Sequence, residues 1–219
     1  MEGKEAAFLG KVTAGFTHEL KNVLAIIKES AGLMEDLLSV TPAGAFPHQE
    51  RFSRALTRIL EQVERGVDLS TRLNRLAHSP DFPLATIDLN DTCRQMVLLC
   101  ERFARLKGVV LRCTPSDTNP TTMTSPLHFQ MCLFWALESL WNQMKNGGEI
   151  TLLVEPKGED VKICVVCSGE LGSEDAFHED VTCAENWMVA VNTMEHLGGR
   201  MEKGHGSFSF TLALPAETK

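Results

Sequence analysis

No stretch of this 219-residue chain approaches the ~18 consecutive apolar residues that a transmembrane helix requires, so the sequence predicts no membrane span. The opening Met1-Glu2-Gly3-Lys4-Glu5 lacks the basic-then-apolar order of a secretory signal, and the expectation is a cytoplasmic protein that receives its signal from another molecule. Positive charge is also scarce. Lys and Arg number 21 against 29 Asp and Glu, a net charge of −8. The deficit is uneven, with −1 over residues 1–83 and −7 over residues 84–219. A second half of that sign is poorly suited to hold nucleic acid, whose affinity rests on phosphate neutralisation. It is also a poor start for a polyphosphate pocket unless local dipoles override it. Proline is missing from Met1 to Val40, so nothing there interrupts a helix.

What is present is the composition of an ordinary globular protein, 43% hydrophobic and 23% charged, long enough for one domain or two small ones. The seven cysteines, at 93, 100, 113, 132, 164, 167 and 183, are scattered among apolar neighbours. Cys164-Val165-Val166-Cys167 has C-x-x-C spacing but lies in a strand-like run, where positions three apart point to opposite faces. It cannot chelate from a regular strand, so buried reduced thiols are expected and no metal site.

Apolar residues at Phe8, Val12, Phe16, Val23, Ile26, Ile27, Leu33, Met34 and Leu37 recur at helical spacing and predict one helix over residues 2–39. Thr41 to Pro47, with two prolines and a glycine, breaks it. A second helix is predicted from about His48 to Ala77, striped by Phe52, Leu56, Ile59, Val63, Val67, Leu73 and Leu76. Two such helices with a short connection make an antiparallel hairpin. A lone hairpin cannot bury both stripes, so a homodimer forming a four-helix bundle is expected. Ser79-Pro80-Asp81-Phe82-Pro83 is a stiff linker that divides residues 1–80 from residues 84–219.

Beyond the linker the pattern is mixed α/β. Strands are expected at residues 85–88, 109–113, 149–155, 161–167, 200–203 and 207–214. Helices are expected at residues 89–106, 126–145 and 183–197. Ser125-Pro126 opens the second of these with an N-cap serine and a first-turn proline. Residues 114–124 and the acidic residues 168–182 read as loops. Trp135, Trp141 and Trp187 are candidate core of this part. His48, His78, His128, His178, His196 and His205 read as surface or structural.

The stretch that carries chemistry is Phe16-Thr17-His18-Glu19-Leu20-Lys21-Asn22. It sets an imidazole, a carboxylate and, one turn on, a carboxamide on neighbouring parts of one helix. A zinc motif would need a histidine where Asn22 stands. The stretch resembles the phosphoacceptor box of two-component histidine kinases. The order of elements after residue 84 resembles their ATP-binding domain, with Ile87-Asp88-Leu89-Asn90, Asn146-Gly147-Gly148 and Leu197-Gly198-Gly199 at matching places. That resemblance implies an α+β chain: a hairpin of the dimeric four-helix type, then an α/β sandwich of the kinase ATPase type. It also implies roles, with His18 as the nucleophile, Glu19 orienting the ring and taking its proton, and Asn22 placing a water on an aspartyl phosphate. Lys21 would steady phosphoryl oxygens or be merely solvated.

The same resemblance predicts a degenerate nucleotide site. Where the family has two polar residues four apart, the second binding magnesium, this chain has Phe134 and Glu138. Where the family has Asp-x-Gly-x-Gly, it reads Cys167-Ser168-Gly169-Glu170-Leu171. The glycine-rich lid is missing before Cys183-Ala184-Glu185-Asn186, and Gly204-x-Gly206-Ser207 alone survives. The leading expectation is a dimeric histidine phosphotransferase that exchanges phosphoryl groups with a response-regulator receiver domain through His18, with no cofactor. The alternatives are a histidine kinase with a divergent ATP site using Glu138 for magnesium, a response-regulator phosphatase, and a non-catalytic dimeric adaptor.

Overall fold

The computed structural model describes residues 2–40, 48–157, 160–206 and 208–215. The expected break over residues 41–47, Gly158 and Glu159 of the expected turn, and Ser207 lie outside the described residues. The chain divides into two compact units, one of residues 13–75 and one of residues 1–12 with 76–219. Helix α1 (Glu2–Ser39) runs for 38 residues without interruption, and α2 (Gln49–Ala77) for 29.

Within residues 13–75 the two helices bury Val23, Leu37 and Ala55. Gly66 lies at one close approach, where a Cβ would stand 3.3 Å from Val23 Cγ1 and that methyl would have to give by a few tenths of an ångström. The other side of the pattern stays uncovered. Leu24, Leu33, Leu56, Leu60, Val63 and Val67 are each exposed, Val67 by 61%.

The second unit is built on a five-stranded sheet of order β2-β4-β5-β7-β6. Its strands are β2 (Val109–Thr114), β4 (Gly148–Lys157), β5 (Asp160–Ser168), β6 (Arg200–Lys203) and β7 (Ser209–Pro215). β2 and β4 are parallel, and the remaining pairs are antiparallel. The expected β4–β5 hairpin is present, with Glu149 opposite Ser168 and Lys157 opposite Asp160. Along β5 the pleat alternates: Val161, Ile163, Val165 and Cys167 are buried, while Lys162, Cys164 and Val166 are half-buried. Cys164 and Cys167 therefore face opposite ways. All seven cysteines are free, and only Cys183 is exposed.

Helices cover the sheet. α3 (Leu89–Arg105) starts on Asp88, whose carboxylate accepts the Asp91 N–H at 3.0 Å. α4 (Pro126–Gln143) lies against α3 and α6 (Glu185–His196) and is buried on nearly every side. Ser125 does stand at the N-cap of α4, but its hydroxyl meets His128 Nδ1 at 2.8 Å instead of capping the helix. Trp135, Trp141 and Trp187 are all buried, as their apolar settings predict.

Two elements depart from the sequence reading. Thr121–Thr124 forms strand β3, which pairs antiparallel with β1 (Ala85–Asp88), inside the stretch expected to be a loop. Three threonines in four residues suit an extended edge, and Thr122 and Thr124 turn inward and are buried. The acidic stretch expected as loop contains α5 (Glu174–Thr182). Its N-cap Ser173 accepts the Ala176 N–H at 3.3 Å, Glu174 and Asp175 fall in the first turn where the helix dipole favours anions, and Phe177 and Val181 bury one face. Among the described residues no helix is long and apolar enough to cross a membrane.

Candidate functional site

Within residues 13–75, α1 carries His18 and Asn22 on its exposed side, one turn apart. Asn22 Nδ2 lies 3.4 Å from His18 Nδ1, so Nε2 is the ring nitrogen that Asn22 does not meet. Lys21 is exposed beside them. Glu19 lies on a different side of the helix. It is 8% exposed, and its carboxylate accepts a hydrogen bond from Arg65 Nη2 of α2 at 3.1 Å. Sequence reasoning placed Glu19 beside the imidazole. The structure adds that its charge is met from α2 by Arg65, a residue 46 positions away that no local pattern singles out.

In the other unit, the first turns of α1 meet α4 and α6. Phe134, at the first polar position that the family resemblance marks, is fully buried. Its ring centroid lies 5.3 Å from Phe8, 5.8 Å from Phe103, 5.1 Å from Trp135 and 6.1 Å from Trp141. Glu138, the candidate magnesium ligand, is engaged on both oxygens. Lys11 Nζ donates to them at 2.9 and 2.8 Å, and Asn186 Nδ2 donates to Oε2 at 2.8 Å. The Lys11 ammonium also lies 4.7 Å from the centre of the Trp135 ring, within cation–π range.

The remaining positions of the expected pocket are similarly occupied. Cys167, where the family has its aspartate, is buried, and loss of solvent pushes its thiol up to about 12, so it stays neutral. Glu185, in the first turn of α6, is exposed and bonded to Lys4 at 2.6 Å. That ammonium holds the Glu185 carboxyl below its usual range. The family resemblance implies a magnesium nucleotide held by a polar side chain at 134, an available metal ligand at 138 and an acceptor for an adenine amino group at 167. The residues present do not fit that group. Among the described residues no cluster of three or more His, Cys, Asp or Glu side chains is set to hold a metal.

Along most of its length this chain is similar in sequence to sensor histidine kinases, and its fold resembles that of histidine kinases. The sensor histidine kinase ZraS of Escherichia coli (strain K12) is 28% identical over 220 residues, covering 94% of this chain and 45% of ZraS. ZraS of Salmonella typhimurium is 26% identical over 221 residues, with 94% and 46% covered. The chain thus spans about half the length of the curated relatives it matches. No family model matches it. Among solved structures, the histidine kinase AdeS of Acinetobacter baumannii aligns with a TM-score of 0.50 at 15% identity, over 92% of this chain and 98% of that one. Full-length ShkA, determined in complex with AMPPNP, aligns with a TM-score of 0.52 at 17% identity, over 96% of this chain and 46% of that one.

Proposed function

We propose that this chain is a histidine phosphotransferase of two-component signalling, which takes phosphoryl groups from, and returns them to, the aspartate of a response-regulator receiver domain. The observation that carries the reading is an exposed His18, its Nδ1 met by Asn22, in a chain whose candidate magnesium ligand Glu138 is already engaged by Lys11. The chemistry needs little. Asn22 stands with Nδ2 towards Nδ1; a half-turn of the carboxamide brings Oδ1 there instead, and in that orientation Nδ1 keeps its proton and Nε2 carries the free lone pair. That lone pair forms a P–N bond as the P–O bond of the aspartyl phosphate breaks, and the electron pair leaves on the carboxylate. The Nδ1 proton stays on the ring, held by Asn22, so no separate base is required. In this reading Glu19 anchors the hairpin through Arg65 and sets the field beneath His18.

The uncovered stripe of Leu24, Leu56, Leu60, Val63 and Val67 supports a second copy of the hairpin as the cover, giving a four-helix dimer. Light scattering after size exclusion checks this, with twice the 24.2 kDa chain mass expected.

The test uses a panel of receiver domains labelled with radioactive phosphate by a small-molecule phosphodonor. Label is expected to pass to the full chain from at least one receiver, as an acid-labile, base-stable adduct that His18→Gln abolishes. Asn22→Ala should slow the transfer by about tenfold, the cost of losing one positioning contact. Label that persists in His18→Gln, or that arrives at His18 directly from ATP, would overturn the proposal, the second outcome in favour of a kinase.

A further inference from the structure

The resemblance to kinases marks Glu138 as a metal ligand, and its engagement by the chain itself leads further. Lys4, Phe8 and Lys11 recur at i, i+4 and i+7, one face of a helix. Each has its own partner in the α/β unit to which residues 1–12 belong. Lys4 bonds Glu185 of α6, Phe8 packs on Phe134 of α4, and Lys11 spans both oxygens of Glu138. Alongside them Glu5 meets His128 Nε2 at 2.9 Å, and Val12 is 1% exposed. Both acids lie at family nucleotide positions: Glu138 on the helical box, and Glu185 at the helix start that would receive phosphate.

We propose that the first three turns of α1 close the nucleotide face of this chain from within, the Lys11 ammonium sitting on Glu138 in the seat of the divalent cation. The assignment follows from charge and from geometry. Glu138 is the single acid in α4, and its side chain is 12% exposed, so its charge needs a partner where it stands. A lysine supplies +1 with three donors, enough for both carboxylate oxygens and the face of Trp135. Asn186 fills the remaining acceptor site on Oε2. A divalent cation would have to displace Lys11 and leave an ammonium against two aromatic rings without its carboxylate. The apolar contact does the same for the organic part of a nucleotide. Phe134 offers no polar group, and Phe8 already covers its ring.

This inference goes beyond the role given to His18 and does not depend on it. Failure of receiver labelling would leave it intact, and its own failure would leave the labelling intact. The test combines charge exchange with ligand challenge on the full chain, read by thermal unfolding. Lys11→Glu sets two carboxylates together and should lower Tm by about 4 °C, with Glu138→Lys similar, each equivalent to roughly one lost charge pair in a chain of this size. The double exchange Lys11→Glu/Glu138→Lys should recover more than half of that loss, because Asn186 can turn its oxygen to the new lysine. Losses that simply add in the double variant would overturn the proposal. Millimolar magnesium ATP, or manganese alone, should leave Tm of the native chain unchanged. A saturable rise with either would overturn it as well, since a ligand that binds the folded state must raise Tm.

Discussion

Restoring the residue that the kinase pattern expects at position 134 should break this protein rather than revive it. Phe134 has no exposed surface and sits among four aromatic rings whose centroids lie 5.1 to 6.1 Å away. Truncating a buried phenylalanine costs about 3–5 kcal/mol through lost burial and the cavity left behind. An asparagine also brings a carboxamide into a setting of Phe8, Phe103 and Trp141, at about 1–3 kcal/mol for a polar group without partners. The sum for Phe134→Asn is about 4–7 kcal/mol once some collapse of the site is allowed, comparable with the whole stability of an ordinary domain. Phe134→Leu keeps most of the volume and should cost about 1 kcal/mol. Urea unfolding followed by far-ultraviolet circular dichroism measures both, with magnesium ATP present and absent. A Phe134→Asn chain within about 1 kcal/mol of wild type, or one that gains nucleotide-dependent stability, would refute the idea that this position is structural core.

Three further outcomes follow from the geometry. Arg65→Ala leaves the 8%-exposed Glu19 without its guanidinium and should cost about 1–3 kcal/mol in urea, while Arg65→Ala combined with Glu19→Gln should recover part of that loss. His178 is buried against Phe210 at 4.6 Å, and loss of solvent, with Lys203 nearby, lowers its pKa below the ordinary 6.5, only partly offset by Glu174 and Asp175. The unfolded chain then takes up the proton first, so stability should fall as pH drops below 6.5 towards the lowered value, and His178→Phe should flatten that slope in pH-dependent unfolding. Gly148→Ala should be severe, because at φ +137° its Cβ would collide with the Ser168 carbonyl oxygen and stand 2.7 Å from Met144 Cε; Gly172→Ala, at φ +76° with open space around it, should cost only about 1 kcal/mol by the same measurement.

What the sequence made legible was whatever repeats locally. The periods of α1 and α2, the alternation of β5 and the turn residues before β4 each report on neighbours a few positions apart, and the structure carries those elements where the pattern predicts them. β3 and α5 were illegible for two different reasons. Thr121–Thr124 is four residues long beside a proline-rich loop, too short for a period to register. In α5 the acidic composition masked a helix whose first turn benefits from that charge. The pairs Glu19–Arg65 and Lys11–Glu138 are separated by 46 and 127 positions, and no local rule joins them. One signal was available: Glu138 is the single acid among the apolar residues from Met131 to Trp141, its charge must be met by something, and Lys4, Phe8 and Lys11 form a face able to meet it.

The contrast between the two candidate sites turns on how far each polar group is satisfied. A side chain that serves a ligand has to keep bonding capacity in reserve, since a group fully bonded within its own chain must lose those bonds before it can make new ones. Glu138 has both oxygens on donors, Glu185 has a lysine, and Cys167 holds its proton inside the sheet. Glu138 and Cys167 keep no reserve, and Glu185 has one oxygen already committed to Lys4. His18 is the opposite case, an exposed imidazole with one nitrogen met from its own next turn by Asn22 and the other not met by it. An exposed ring on an otherwise well-satisfied helix is where chemistry with an outside partner costs least. That asymmetry is the physical ground for the phosphotransfer proposed above. It also makes His18→Gln the variant that should remove the chemistry while leaving the unfolding curve of the chain unchanged to within about 0.5 kcal/mol.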